Sequence, residues 1–126
     1  EDDRIRLLGW VDNREMASCY SRWRLLLFPT NYEGLPNSVI ESLWCGTPVL
    51  ASPVGGIPDV VEEGQTGWFL PGTTAVAIET ALSELMKRDD LSEVSRQAEV
   101  FAREAFSFED GLERFRSVFE VDKPAG

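Results

Sequence analysis

No histidine occurs among the 126 residues of this chain. That absence removes any Ser-His or Cys-His nucleophile pair and argues against a zinc site. Cysteine is nearly absent too: Cys19 and Cys45 stand far apart, with no CxxC and no Cys/His ligand spacing. Both read as reduced thiols of a cytoplasmic protein, without a disulfide framework or a metal. Basic residues are scarce, 12 Lys and Arg against 22 Asp and Glu, which leaves a net charge of −10. Nucleic-acid backbones demand clustered Lys and Arg, so nucleic acid is excluded as a partner, and an anionic membrane surface is a poor target for the same reason. No apolar run approaches the roughly 20 residues of a membrane span, and no signal-peptide pattern opens the chain. Repeats and low-complexity segments are missing as well. The first residue is Glu1 rather than methionine, which reads as a piece of a longer protein.

What is present suits one globular domain. The hydrophobic content of 43% is ordinary, and the length allows a moderate core without staples. The expected organisation is one domain over residues 1–122 and a loose tail at 123–126. Ile5 to Leu8 is a short strand candidate ended by Gly9. Asn13 is an expected N-cap for a helix over about Arg14 to Trp23, with Met16, Ala17 and Tyr20 on one face. The continuous apolar run Leu25 to Phe28, bounded by Pro29, fits a strand buried on both faces.

A helix opening at Pro36 places Val39, Ile40, Leu43 and Trp44 on a buried stripe, and Gly46 closes it as a C′ residue before Pro48. Val49 to Ala51 reads as the next strand. The loop Ser52 to Ile57 then leads to a short helix at Pro58 to Glu62, a turn at Gly64 to Gly67, and a strand at Trp68 to Leu70. Helices follow at Thr74 to Arg88, Leu91 to about Glu104, and Phe108 to about Glu120, the last with Ser107 and Asp110 as a capping pair. Short strands alternating with helices indicate an α/β fold, a Rossmann-like and mostly parallel sheet with flanking helices.

The chemistry concentrates in Asn31-Tyr-Glu-Gly-Leu-Pro-Asn-Ser-Val-Ile-Glu41. A strand, a tight turn and a helix N-terminus form the usual place where an open α/β sheet holds a phosphate-bearing ligand. The N–H groups of Asn37, Ser38 and Val39 are expected to point out of the helix end, aided by its dipole. Most helices that begin this way are simply capped, and Glu33 and Glu41 read equally well as a solvated turn residue and an exposed helical carboxylate. Their joint placement at one strand edge favours a site. Carboxylates repel phosphate but accept hydrogen bonds from hydroxyls, and a phosphate joined to a polyhydroxyl body is a sugar nucleotide. The Gly55-Gly56 pair after the next strand opens at the same edge and allows close backbone approach.

The block Glu33-Gly-Leu-Pro-Asn-Ser-Val-Ile-Glu41-Ser-Leu-Trp-Cys-Gly-Thr-Pro-Val-Leu-Ala51, followed by Gly55-Gly56-Ile-Pro-Asp59 and Gly64-Gln-Thr-Gly67-Trp-Phe-Leu-Pro71, closely resembles retaining glycosyltransferases of family 4 with the GT-B fold. The resemblance runs from Arg6-Leu-Leu-Gly9 to the Phe108 segment and corresponds to the later part of the C-terminal donor-binding domain. It implies that Glu33 binds hydroxyls of the donor sugar and is the catalytic carboxylate, and that Glu41 binds the nucleotide ribose. It implies further that Gly34, Leu35, Asn37 and Ser38 contact the sugar and diphosphate, and that Gly55 and Gly56 line the cleft. Pro36 stands where many relatives have glycine, and Asp59 where Glu is frequent.

The implied activity is transfer of a hexosyl or N-acetylhexosaminyl group from a nucleotide-diphosphate sugar to an acceptor hydroxyl in polysaccharide biosynthesis. No metal and no cofactor is implied beyond that donor. The basic residues that relatives use on the diphosphate, the base pocket and the N-terminal acceptor domain are not in this sequence. The chain alone is therefore expected to be inactive and to self-associate through an open sheet edge, with the parent enzyme at the inner membrane face. Alternative readings are a non-catalytic folded fragment or binding module, a flavodoxin-like receiver, and part of a sugar-nucleotide epimerase.

Overall fold

A computed structural model describes residues 2–107 and Glu109. The expected helix from Phe108, its Ser107/Asp110 cap and the tail at 123–126 lie outside the described residues. Three parallel strands form the sheet in the order β1-β2-β3: β1 (Leu26–Phe28), β2 (Val49–Ala51) and β3 (Gly67–Phe69). Leu26 pairs with Val49 and Val49 with Gly67, so all three strands run level. Around them lie α1 (Asn13–Arg22), α2 (Asn37–Trp44), α3 (Ala75–Leu85) and α4 (Leu91–Ala105).

The central strand shows why the sheet is covered on both faces. Val49 and Ala51 join the core under α2 and α4 with Val39, Leu43, Ala98 and Ala102. Leu50, between them, points the other way and packs with Trp68, Leu70, Leu85 and Val94. Alternation of side chains along one strand therefore feeds two cores. Burying Val39 and Leu43 contributes roughly 1.5–3 kcal/mol each, and fixes which face of α2 meets the sheet.

Buried hydroxyls tie the layers together. Ser42 Oγ donates to the Thr47 carbonyl at 2.8 Å, and Thr47 Oγ1 donates to the Tyr20 carbonyl, linking α2, the approach to β2, and α1. Ser95 of α4 donates to the Gly46 carbonyl. Gly46 has φ +74° and closes α2 as expected. Its N–H donates to Leu43 and that of Thr47 to Ser42, the paired bonds of a Schellman C-cap.

Several local expectations are corrected. Ile5 to Leu8 is not a strand: no neighbouring strand pairs with it among the described residues, and Leu7 and Trp10 are 93% and 86% exposed. An apolar run becomes a strand only where a partner satisfies its backbone. The cap of α1 is Asp12, not Asn13, because the Asp12 carboxylate accepts the Arg14 N–H at 2.9 Å. The expected helix at Pro58 to Glu62 is a single 3-10 turn, Ile57–Asp59. There, Thr66 Oγ1 donates to the Val60 carbonyl and accepts the Glu62 N–H, and these bonds turn the chain toward β3. Strand β3 begins one residue earlier than expected, since the missing side chain of Gly67 lets it approach Val49.

Candidate donor site at the sheet edge

The helix N-terminus differs from expectation in one respect. Pro36 has φ −71° but ψ 132°, so it is the N-cap and Asn37 is the first helical residue. The pyrrolidine ring fixes φ and leaves ψ free, and an extended ψ here lets the Pro36 carbonyl accept the Val39 N–H at 3.1 Å. Val39 is thus withdrawn from the set of outward donors. Among the described residues, the N–H groups of Leu35, Asn37 and Ser38 have no acceptor within the chain. The first turn of α2 carries no acidic residue to occupy its positive end.

Glu33 is half-buried in the loop that leaves the C-terminal end of β1. That loop is held from both neighbouring strand exits. Thr30 N–H donates to Ser52 Oγ at 2.9 Å, and Gly56 N–H donates to the Gly34 carbonyl at 2.6 Å. Thr73, beyond β3, donates to Asn31 Oδ1 at 3.1 Å. The Gly55-Gly56 loop and the Glu33-Gly34-Leu35 loop are therefore brought into direct contact, as their shared strand edge implies.

Glu41 lies in the second turn of α2, exposed, and on its other side stands α1. Tyr20 of α1 is buried, and burial foremost, together with Glu41, pushes its pKa up. A cavity of 450 Å³ opens beside them, walled by Asn13, Met16, Ala17, Tyr20, Ile40, Glu41, Trp44, Cys45 and Phe106. Glu33 does not line that cavity. Burial first, then the Glu41 and Glu99 charges, push the Cys45 thiol up.

Asn37, Ser38 and Glu41 thus sit on the first turns of α2, and Glu33, Gly34, Leu35, Gly55 and Gly56 form the interlocked loops beside it. Sequence reasoning missed Tyr20, read only as a face residue of α1, and Ser52 and Thr30, whose tie spans 22 positions. No local pattern signals such a bond. Among the described residues no three His, Cys, Asp or Glu side chains gather into a cation-binding group, and no helix is long and apolar enough to cross a membrane.

The family model of the glycosyl transferases group 1 matches residues 1–88. The chain belongs to that family. Among this glycosyltransferase chain's relatives, the O-antigen chain mannosyltransferase B of Escherichia coli is 28% identical over 106 residues, 84% of the chain and 27% of that protein. The sucrose-phosphate synthase structure from Thermosynechococcus elongatus superimposes with a TM-score of 0.82 at 26% identity, covering 95% of the chain and 31% of that structure. Anabaena Alr3699/HepE, solved in complex with UDP, shares the fold at 20% identity and a TM-score of 0.66, over 80% of the chain and 28% of its own. The chain spans about a quarter of the length of the curated relatives it matches. The three-stranded parallel sheet with its flanking helices is accordingly part of a GT-B glycosyltransferase domain.

Proposed function

We propose that the chain is the donor-binding part of a retaining glycosyltransferase of family 4, which moves a sugar from a nucleotide-diphosphate sugar to an acceptor hydroxyl. The observation that carries this reading is the meeting, at one sheet edge, of the Glu33 loop with a helix end whose Asn37 and Ser38 N–H groups are unoccupied. Glu33 accepts hydrogen bonds from the donor-sugar hydroxyls, and Glu41 from the ribose; charge-assisted bonds of this kind are the strong ones. The N–H groups of Leu35, Asn37 and Ser38 face the diphosphate. As the glycosidic bond breaks, charge grows on the leaving diphosphate, and fixed donors stabilise it without reorganisation.

UDP in the Anabaena neighbour and the mannosyl activity named for the Escherichia coli relative support a nucleotide sugar as donor. Relatives named for O-antigen and colanic acid chains support polysaccharide biosynthesis, for which we place the enzyme in the cytoplasm at the inner membrane face. No covalent nucleophile is assigned; the acceptor hydroxyl attacks the anomeric carbon on the same face from which the diphosphate departs, and its proton goes to the leaving diphosphate. Metal is not required where helix-end donors and basic side chains of the remaining enzyme carry the leaving-group charge. The chain alone is inactive without the N-terminal acceptor domain and self-associates through the open edge of its sheet, and the exposed Ile5, Leu7, Leu8 and Trp10 favour packing against further protein.

The test is a transfer assay on the full-length protein carrying this sequence, with UDP-, GDP- and ADP-sugars and with NMR of the product's anomeric centre. Retained configuration at the anomeric carbon supports the reading. Inverted configuration, or hydrolysis without transfer to any hydroxyl acceptor, rejects it.

A further inference from the structure

Ser52 is 4% exposed and lies one residue beyond β2. Its Oγ accepts the Thr30 N–H at 2.9 Å, and its own N–H donates to the Phe28 carbonyl at 3.3 Å. Thr30 passes the tie onward: its Oγ1 donates to the Tyr32 carbonyl at 3.2 Å and accepts the Tyr32 N–H at 3.4 Å. The residue after Tyr32 is Glu33. On the other side of Glu33, the Gly34 carbonyl is held by Gly56 N–H at 2.6 Å.

The second hold depends on an absent side chain. Gly55 has φ +57°, and a Cβ there would stand 1.9 Å from the Glu33 carbonyl oxygen and 2.5 Å from that of Gly34. Both obstacles are backbone, which cannot swing aside as a flexible side chain would. Only glycine at 55 allows the two loops to close on each other.

We propose that Ser52 and Gly55 are positioning residues for Glu33, holding its loop from both sides through Thr30 and Gly34. This rests on the proposed role of Glu33 at the donor sugar. Loss of either hold lets Glu33 move relative to the α2 N-terminus, while the diphosphate and ribose contacts on α2 stay in place. Loss of the Ser52 hold therefore falls on the sugar and spares the nucleotide, whereas loss of the Gly55 hold also loosens Gly34 and Leu35, whose N–H faces the diphosphate.

The experiment measures binding to the full-length protein by titration calorimetry. Each nucleotide sugar (UDP-glucose, GDP-mannose, ADP-glucose) is paired with its sugar-free nucleoside diphosphate. Ser52→Ala is expected to weaken the nucleotide sugar about tenfold, the scale of one unmade buried hydrogen bond, and to change the sugar-free nucleotide less than about twofold. Ser52→Thr keeps a hydroxyl acceptor for Thr30 and restores the sugar term. Gly55→Ala weakens the nucleotide sugar at least as much and the sugar-free nucleotide with it; if it does not fold, as judged by circular dichroism, the Ser52 pair decides. Glu33→Ala run alongside separates the two claims. If Glu33→Ala leaves nucleotide-sugar binding unchanged, the donor-site reading falls. If Glu33→Ala weakens it while Ser52→Ala does not, or if Ser52→Ala weakens sugar-bearing and sugar-free nucleotides equally, the positioning role falls and the donor site stands.

Discussion

Replacing Gly67 by alanine places a methyl group inside the tightest contact of the sheet. The new Cβ would lie 2.1 Å from the Val49 carbonyl oxygen and 3.0 Å from the Val49 carbonyl carbon and nitrogen. Ordinary contact begins near 3.4 Å, so β3 must retreat from β2 by about 1.3 Å. The Val49 N–H to Thr66 bond is already 3.3 Å long, and that of Leu70 to Ala51 is 2.8 Å; neither survives such a shift. Two lost bonds at about 1 kcal/mol each, with partial loss of Trp68 packing, give an expected cost of about 2–4 kcal/mol. Against a total stability of about 5–15 kcal/mol this is readily measured. The assay is urea unfolding followed by far-UV circular dichroism, with Gly34→Ala as the control. A Cβ at Gly34 meets nothing within 4 Å and its φ is not positive, so that variant should stay within about 0.5 kcal/mol of the parent. A Gly67→Ala midpoint equal to that of Gly34→Ala would refute the close β2–β3 approach.

Three further outcomes are expected. Thr47→Val keeps the volume but removes the hydroxyl that donates to the Tyr20 carbonyl, and should cost about 1 kcal/mol in the same unfolding assay; no change would dismiss that tie. Ala98 is fully buried on α4, which packs on α2, so Ala98→Leu should overpack the core and cost about 1–3 kcal/mol, with an unaltered midpoint contradicting the packing of α4 on α2. The folded-state pKa of Tyr20 is raised above the usual 10, so its contribution is fully present below that value and is lost as pH rises through the folded pKa. Thermal midpoints should therefore fall above about pH 10 more steeply for the parent than for Tyr20→Phe, and parallel curves would show that the hydroxyl is not buried.

Legibility followed the range of the interactions. The strand at Leu26–Phe28, the α2 stripe of Val39 and Leu43, and the Gly46 stop were readable because apolar patterning and capping chemistry are local, but the expected burial of that strand on both faces was wrong: Leu27 is 37% exposed. The same holds for the Glu33-to-Glu41 segment and the Gly55-Gly56 loop, whose contact follows from adjacent strands ending at one edge. Ile5-Arg6-Leu7-Leu8 is apolar at three of its four positions, but strand formation needs a partner backbone that local sequence cannot reveal. Pro36 illustrates a finer limit. Both the cap and the first helical position accept its φ, and only the neighbouring backbone sets its ψ. The Ser52–Thr30 tie and the Thr47 bond to the Tyr20 carbonyl were illegible because they span 22 and 27 positions.

The central claim is that two carboxylates, Glu33 and Glu41, grip the two polyhydroxyl ends of one nucleotide sugar. The most direct measurement is titration of the full-length protein and its Glu33→Ala and Glu41→Ala variants with UDP-, GDP- and ADP-sugars and with the matching sugar-free diphosphates. Glu41→Ala should weaken sugar-bearing and sugar-free nucleotides alike, by about tenfold or more for charge-assisted bonds to the ribose, while Glu33→Ala should weaken only the sugar-bearing ones. Unchanged binding of every nucleotide by both variants would contradict the assigned site.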